Sequence, residues 1–192
     1  VYLVRNTLHG KRVILMNTEI LVVTGPESSG KTTLASQLSS YWKTPLVPEV
    51  ARDYLKGKKS YQKYDLLKIA KQQNEQEQAL LSHFPERIVC DTDLLVIMVW
   101  SEVKYGHCNP WITAAFENSI KQNNSDRYYY LCDFNIPWKA DPLRENPHNR
   151  DELFNLYLQK IKEYELHHSI VKGEPWIRLQ QALIRPSSRN PA

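Results

Sequence analysis

One glycine-rich segment has the residue types and the spacing of a phosphate-binding loop. Residues 25–32 read GPESSGKT and match the pattern G-x-x-x-x-G-K-[ST], in which backbone N–H groups surround phosphate oxygens at the start of a helix. This spacing lets the Lys31 ammonium reach the β- and γ-phosphates and places the Thr32 hydroxyl beside Mg²⁺. The segment, called the phosphate loop below, therefore predicts a site for ATP with Mg²⁺. The residues expected to contact ATP here are Gly25, Glu27, Ser28, Ser29, Gly30, Lys31, Thr32 and Thr33.

Two acids follow short apolar runs that predict parallel strands. Glu49 comes after Leu46-Val47, and Asp91 comes directly after Ile88-Val89-Cys90. Because ligands of open α/β sheets bind at the carboxyl ends of the strands, we expect both carboxylates near the phosphates. Asp91 has the position of an acid that holds Mg²⁺ with Thr32, and Glu49 that of a base for a hydroxyl acceptor. The sequence leaves open how Glu49 and Asp91 divide these duties, and which of Glu49, Asp91 and Asp93 is the base.

Four further polar residues are candidates for contacting an acceptor substrate. Arg52 follows the second predicted strand, where a substrate contact and a surface ion pair both fit. Asp93 fits either a helix N-cap or a residue that contacts substrate. Gln73 and Glu77 interrupt the apolar stripe of a helix predicted over residues 64–84, so they face either a polar pocket or solvent.

A proline-rich excursion over residues 133–150 predicts a mobile lid. Arg144 and Arg150 are candidates for closing on the phosphates of ATP, and the alternative is a solvated basic loop with salt bridges. Trp138 and Asp141 are candidate acceptor contacts, through ring stacking and through hydrogen bonds to hydroxyls. Trp138 fits equally well as an anchor of the lid to the core.

Strand and helix patterns alternate along the chain. The predicted strands lie over residues 20–23, 46–47, 87–90, 128–131 and 169–171, and the predicted helices over 31–42, 64–84, 94–100, 111–122, 151–168 and 175–184. This alternation predicts a three-layer α/β P-loop NTPase fold, with a parallel five-stranded sheet, helices on both faces and a lid. Gly173, between the last strand and the last helix, is a candidate for lining the adenine site.

Composition argues against several classes of protein. The 192 residues carry a formal net charge of +4, of which three basic residues before Met16 contribute +3. The rest of the chain is nearly neutral, so we expect no nucleic-acid partner. We expect no membrane span either, since no apolar run approaches about 20 residues. Cys90, Cys108 and Cys132 form no C-x-x-C pair, which favours free thiols and a reducing cytoplasm.

The combination of a phosphate loop, acids at strand ends and a basic lid favours phosphoryl transfer to a small, nucleoside-like molecule. We expect one kinase domain over residues 16–185. It follows a leader over residues 1–15 of uncertain status, which fits two paired strands or a disordered arm. A flexible tail over residues 186–192 completes the chain, and the sequence leaves the oligomeric state open.

A family resemblance is carried by the segments GPESSGKTTL, VPEVARDYL, CDTDLLVIMVWSEVKYG and IPWKADPLRENPHNR. Together they resemble the nicotinamide riboside kinase domain of NadR-type NAD biosynthesis proteins, over about residues 19–182. The resemblance implies ATP-dependent phosphorylation of the 5′-hydroxyl of nicotinamide riboside, which gives nicotinamide mononucleotide. It implies phosphate roles for Gly30, Lys31 and Thr32, acid roles for Asp91 and Asp93, lid roles for Arg144 and Arg150, and acceptor-side roles for Glu49 and Arg52. The residues expected to take part in catalysis are Lys31, Glu49, Asp91, Asp93 and Arg144.

The chain departs from the family pattern at two points. NadR-type proteins commonly carry an adenylyltransferase domain with an HxGH-like motif ahead of the kinase, and no such motif occurs here. We therefore expect this chain to lack the second activity and any DNA-binding repressor role. Pro48 stands where some relatives carry an aromatic residue.

Two alternatives to a nicotinamide riboside kinase stay open at this point. VPEVAR also resembles the acid-bearing segment of deoxynucleoside kinases, so a deoxynucleoside or nucleotide kinase is the alternative enzyme. A non-catalytic ATP-binding regulatory module is the alternative of another class.

Overall fold

The computed structural model of the chain describes residues 7–8, 11–12, 17–121, 125–139 and 148–184. The strands are β1 (Thr7–Leu8), β2 (Lys11–Arg12), β3 (Thr18–Thr24), β4 (Leu46–Val47), β5 (Arg87–Asp91), β6 (Ser125–Cys132) and β7 (His168–Val171). The helices are α1 (Lys31–Trp42), α2 (Val50–Leu55), α3 (Lys63–Leu81), α4 (Leu94–Tyr105), α5 (Pro110–Lys121), α6 (Arg150–Glu163) and α7 (Pro175–Leu183).

A five-stranded parallel sheet in the order β4-β5-β3-β6-β7 forms the centre of the fold. The middle strand, β3, is buried along its whole length, as is usual for a strand covered on both faces. Val22 of β3 lies opposite Cys90 of β5 and Tyr129 of β6. This register brings the carboxyl ends of the three strands to one edge, so the phosphate loop begins between the ends of β5 and β6.

Helices cover both faces of the sheet. Because successive side chains of a strand point to opposite faces, Ile20 and Val22 pack with residues of α2 to α6, whereas Leu21 and Val23 pack with α1 and α7. The predicted P-loop NTPase fold, with its parallel five-stranded sheet, is therefore confirmed.

Several helices differ from the sequence prediction. The helix predicted over residues 94–100 continues to Tyr105 as α4, and the helix predicted to end at residue 84 ends at Leu81 as α3. The six-residue helix α2 was not predicted, because Val50–Leu55 is too short to display a helical stripe. The helix predicted over residues 151–168 corresponds to α6, which ends at Glu163. Glu165 takes a left-handed φ of 52° there, which turns the chain into β7.

The leader contains one short antiparallel pair. Thr7 lies opposite Arg12 and Leu8 opposite Lys11, so β1 and β2 pair as antiparallel strands. The strands expected over residues 1–4 and 13–15, and the tail over 186–192, lie outside the described residues. No helix within the described ranges is both long enough and apolar enough to cross a membrane.

Candidate active site

A cleft opens beside the phosphate loop at the carboxyl edge of the sheet. It is lined by residues 25–33, by Glu49, Ala51 and Arg52 around the start of α2, and by Val96, Val99, Trp100, Val103, Leu153 and Tyr157 of α4 and α6. All the residues of the phosphate loop that were predicted to contact ATP thus share one cleft with Glu49 and Arg52, two of the predicted acceptor residues.

Two glycines allow the phosphate loop to take its shape. A Cβ on Gly25, whose φ is +134°, would lie 2.7 Å from the carbonyl oxygen of Cys132 at the end of β6. Gly30 has a φ of 81° and is the N-cap of α1. Left-handed backbone of this kind favours glycine, so the two glycines in the motif fit the geometry that the structure requires.

Lys31 folds its side chain back across the phosphate loop. Its Nζ donates to the carbonyl oxygens of Gly25, at 3.0 Å, and Pro26, at 2.8 Å. The ammonium therefore lies within the curve of the loop, where phosphate oxygens are stronger acceptors than neutral carbonyls.

Asp91 is the buried acid of the cleft edge. It is the last residue of β5 and is 3% exposed. Burial raises the pKa of its carboxyl group, while a hydrogen bond from Thr32 and the charge of Lys31 lower it. Its Oδ1 has no hydrogen-bond partner within the described part of the chain. A carboxylate oxygen without a partner beside a hydroxyl is a set of hard ligands that fits Mg²⁺.

Glu49 and Arg52 lie next to Asp91 at the start of α2. Glu49 is the N-cap of this helix, and its Oε2 lies 3.8 Å from Nε of Arg52. Burial is the main cause of the raised pKa of Asp91. The negative charge of Glu49 raises this pKa further, and the positive charge of Arg52 lowers it. The Glu49 side chain is 25% exposed, so it remains accessible while being held within electrostatic reach of Asp91.

Gln73 is not among the residues that line the cleft, and its role as a substrate contact stays a prediction. Its Oε1 accepts from the Val50 N–H at 3.0 Å, and its Nε2 donates to the Pro48 carbonyl at 3.3 Å. The amide thereby binds the backbone on both sides of Glu49. Gln73 supports the turn that presents Glu49, because its carbonyl oxygen and one of its N–H donors bind that backbone.

Glu77 and Asp93 lie in a buried cluster around Arg127, and neither is among the residues that line the cleft. Arg127 of β6 forms ion pairs with Oε1 of Glu77 and, at 3.1 Å, with Oδ2 of Asp93. Asp93 also accepts from the Tyr129 hydroxyl at 2.8 Å and caps α4 by accepting from the Leu95 N–H at 3.0 Å. Each carboxylate therefore has buried partners, and the acceptor roles of Glu77 and Asp93 stay predictions. For Asp93, the N-cap alternative is the one that the geometry supports.

The first part of the predicted lid lies against the phosphate loop. Arg150 Nη1 donates to the Ile136 carbonyl at 2.9 Å and to the Ser28 carbonyl at 3.5 Å. The Lys139 N–H donates to the Ser28 hydroxyl at 3.0 Å. Arg150 is therefore within reach of the ATP side of the cleft, while Arg144 and Asp141 lie outside the described residues.

Trp138 and Gly173 are placed beside the cleft, outside its lining. The Trp138 ring centroid lies 5.7 Å from Cζ of Arg150, an arrangement that fits its alternative role as an anchor of the lid. Gly173 has a φ of +93°, and its carbonyl accepts from Nε of Arg178 at 2.7 Å. The adenine role of Gly173 stays a prediction.

The apolar wall of the cleft was not predicted from the sequence. Val96, Val99, Trp100 and Val103 recur at helical spacing along α4, and Val103 remains 43% exposed. An apolar stripe that continues to such an exposed residue was the available signal. Tyr157 of α6 completes the wall, and burial followed by the charges of Glu27 and Glu49 raises the pKa of its hydroxyl.

Comparison with known proteins confirms the resemblance inferred from the motifs. The chain is 27% identical over 169 residues to the trifunctional NAD biosynthesis/regulator protein NadR of Escherichia coli (strain K12), covering 81% of this chain and 38% of the relative. A crystal structure of NadR protein in complex with NR matches with a TM-score of 0.67 and 19% identity, over 87% of this chain and 48% of that chain. Thymidylate kinase from Ehrlichia chaffeensis matches with a TM-score of 0.63 and 13% identity, over 88% and 98%.

The chain thus spans less than half the length of either NadR protein it matches. A family model described as an AAA domain matches residues 20–176, which is most of the chain and includes the phosphate loop, both candidate acids and the described part of the lid. The chain therefore belongs to this AAA domain family of P-loop proteins.

Proposed function

We propose that this chain is an ATP-dependent kinase that phosphorylates the 5′-hydroxyl of nicotinamide riboside to give nicotinamide mononucleotide. The observation that carries the proposal is a cleft lined by the phosphate loop and Glu49, with the buried carboxylate of Asp91 hydrogen-bonded to Thr32 and within electrostatic reach of Glu49. Similarity to NadR proteins supports the choice of acceptor.

Each group in the cleft has a role in this reaction. Lys31 and the loop N–H groups bind the triphosphate, and Thr32 and Asp91 are the residues that would hold Mg²⁺, which supplies positive charge for the phosphates when bound. Glu49 accepts the proton of the acceptor hydroxyl while the hydroxyl oxygen bonds to the γ-phosphorus of ATP. The bond between the γ-phosphorus and the β–γ bridging oxygen breaks at the same time. ADP is released, and Arg52 keeps the Glu49 carboxylate in place through their ion pair.

The apolar wall gives the acceptor its second point of contact. Trp100 and Tyr157 present aromatic surface to the cleft between Val96 and Leu153. A flat heterocycle attached to a ribose can bury its ring against this wall while its hydroxyl reaches Glu49. This division into a polar end and an apolar end suits a nucleoside-like acceptor.

The runner-up is a kinase that acts on a deoxynucleoside or a nucleotide. The apolar wall supports this alternative because it can hold other flat bases, and so does the similarity of the fold to thymidylate kinase. A screen of ATP consumption with Mg²⁺ over nicotinamide riboside, deoxynucleosides and nucleoside monophosphates separates the candidates. We expect nicotinamide riboside to give the highest kcat/KM, and a higher value for another acceptor would refute this choice.

The role of Glu49 separates a kinase from an ATP-binding regulatory module. Glu49→Gln keeps the size of the side chain and removes the base, so we expect ATP affinity to be retained and kcat to fall by about 10²–10⁴-fold. Glu117→Gln is the matched control, since Glu117 pairs with Lys121 on the surface of α5. Wild-type turnover by Glu49→Gln would rule out Glu49 as the base. ATP binding without consumption of any acceptor would favour the regulatory module.

A further inference from the structure

Arg178 of α7 joins three segments on the ATP side of the cleft. Its guanidinium donates to the carbonyl of Ser29 in the phosphate loop and, at 2.7 Å, to that of Gly173 after β7. It also donates to the Asp133 carbonyl at 2.9 Å and to Oδ1 of Asn135 at 2.8 Å. The last two residues connect β6 to the lid segment, so one side chain links the phosphate loop, the lid and the turn before α7.

The environment of Arg178 is unusual for an arginine. The residue is only 2% exposed, and it forms no ion pair with a carboxylate within the described residues. A buried charge is tolerated when hydrogen bonds replace its water, and here neutral oxygens supply them. The guanidinium therefore keeps its positive charge beside the phosphate loop, held by neutral oxygens of the described residues.

The charge of Arg178 influences the pKa of the neighbouring Cys132 thiol. Burial raises the pKa of Cys132 to about 11, and Arg178 is the first of the charges that oppose the rise. The carbonyl oxygen of Cys132 packs against Gly25, at 2.7 Å from the position that a Cβ on Gly25 would take. Arg178 therefore lies close to Cys132, the residue of β6 that packs against Gly25 of the phosphate loop.

The hydrogen bond to Ser29 fixes the direction of one peptide in the loop. Arg178 does not line the cleft, and its Nη1 binds the Ser29 carbonyl oxygen, so this carbonyl is engaged by a group outside the cleft lining. The next residue, Gly30, has the left-handed φ of 81° and lacks a side chain to resist rotation of this peptide. Turning the carbonyl into the cleft would place a partial negative charge against a phosphate.

We propose that Arg178 is a positioning residue for the triphosphate: it holds the Ser29 carbonyl out of the phosphate site and fixes the lid segment to the phosphate loop. The inference rests on the proposed function only in that the cleft binds ATP. It adds a requirement that the motif does not contain, namely a buried guanidinium supplied by the last helix.

The test is nucleotide binding to the full chain, measured by titration calorimetry with Mg²⁺ for ATP, ADP and AMP. Arg178→Gln removes the charge and most of the hydrogen bonds, so we expect the Kd of ATP and ADP to rise about tenfold or more. We expect a smaller change for AMP, because the phosphate loop holds mainly the β- and γ-phosphates. Arg87→Gln is the control, since Arg87 pairs with Glu19 near the start of β5, at the opposite edge of the sheet.

Arg178→Lys tests the geometry if Arg178→Gln does not fold. Lysine keeps the charge but cannot reach the same four acceptors. We therefore expect a higher Kd for ATP and a smaller rise in the Kd for AMP. If the variant that folds binds ATP with the wild-type Kd, this inference is overturned while the proposed function stands. The same holds if the Kd values for ATP and AMP rise by equal factors. A wild-type chain that binds no ATP would overturn the proposed function and this inference together.

Discussion

Replacing Arg127 by methionine is the sharpest test of how the fold holds the turn after β5. Methionine keeps an unbranched apolar chain and removes the guanidinium that pairs with Glu77 and Asp93. The side chains of these three residues are only 5%, 6% and 2% exposed. In Arg127→Met, water therefore cannot replace the lost ion pairs, and two carboxylates remain buried.

The expected loss is large compared with the stability of a domain. Removing one partner of a buried ion pair costs about 3–5 kcal/mol, whereas the free energy of unfolding of a domain is about 5–15 kcal/mol. The matched control is Lys121→Met, because Lys121 is 71% exposed and pairs with Glu117 at 3.7 Å. An exposed pair of this kind is worth about 0.3–0.5 kcal/mol.

The loss should also depend on pH in a defined direction. Burial raises the pKa of Asp93, and Arg127 is the first of the groups that lower it, so this pKa rises further in Arg127→Met. An acid whose pKa is higher in the folded state binds its proton more tightly there, so folding stability falls as pH rises from the unfolded pKa through the folded one. The variant should therefore lose more stability relative to wild type at pH 8 than at pH 5.

Urea unfolding of wild type, Arg127→Met and Lys121→Met at these two pH values measures both effects. A loss in Arg127→Met no larger than in Lys121→Met would refute the assignment of a buried, stabilising arginine. A loss of several kcal/mol that is the same at both pH values would refute the part of the reasoning that concerns protonation of the carboxylates.

Three further changes probe other parts of the molecule. Lys31→Ala should abolish turnover and weaken ATP binding, since the triphosphate loses the cation at the centre of the loop; wild-type ATP affinity by calorimetry would contradict this. Gly25→Ala should lower the melting temperature and ATP affinity together, because its Cβ would lie 2.7 Å from the Cys132 carbonyl oxygen; unchanged values for both would show that the loop can adjust. A hydrogen bond from Lys58 is the main cause that lowers the pKa of Asp65 from 3.8 to about 2, so Asp65 adds stability above about pH 4 that is lost towards pH 2. Circular dichroism should record a shallower acid transition for Asp65→Asn, and an unchanged slope would argue against this contribution.

The sheet and the phosphate loop could be predicted because their signals are local. The apolar run over residues 20–23 forms part of β3, and the helix predicted over residues 31–42 begins and ends as expected. Even the two-residue strand β4 was predicted from Leu46-Val47, since Pro48 follows it directly. Each of these features depends on neighbours within a few positions along the chain.

The partners of buried charges could not be predicted because they are distant in sequence. Arg127 is 50 residues from Glu77 and 34 residues from Asp93, and Arg178 is 149 residues from Ser29. A polar residue that interrupts an apolar stripe has the same pattern whether it meets a ligand or a buried arginine. The sequence therefore located Glu77 on the correct side of its helix while leaving its partner unknown.

The turn Asp91-Thr92-Asp93 shows most clearly that a local sequence pattern does not determine the three-dimensional environment of a side chain. Asp91 ends β5 and Asp93 comes two residues later, and both are nearly excluded from water, at 3% and 2% exposure. Thr92 takes a left-handed φ of 71°, so the chain turns between them and each side chain meets different surroundings. Asp93 accepts hydrogen bonds from Arg127, Tyr129 and the helix that it caps, whereas Asp91 keeps one oxygen without a partner in the described part of the chain. Because buried polar groups are normally satisfied, Asp93 is the acid that holds the fold together and Asp91 is the one that a cation at this edge would complete.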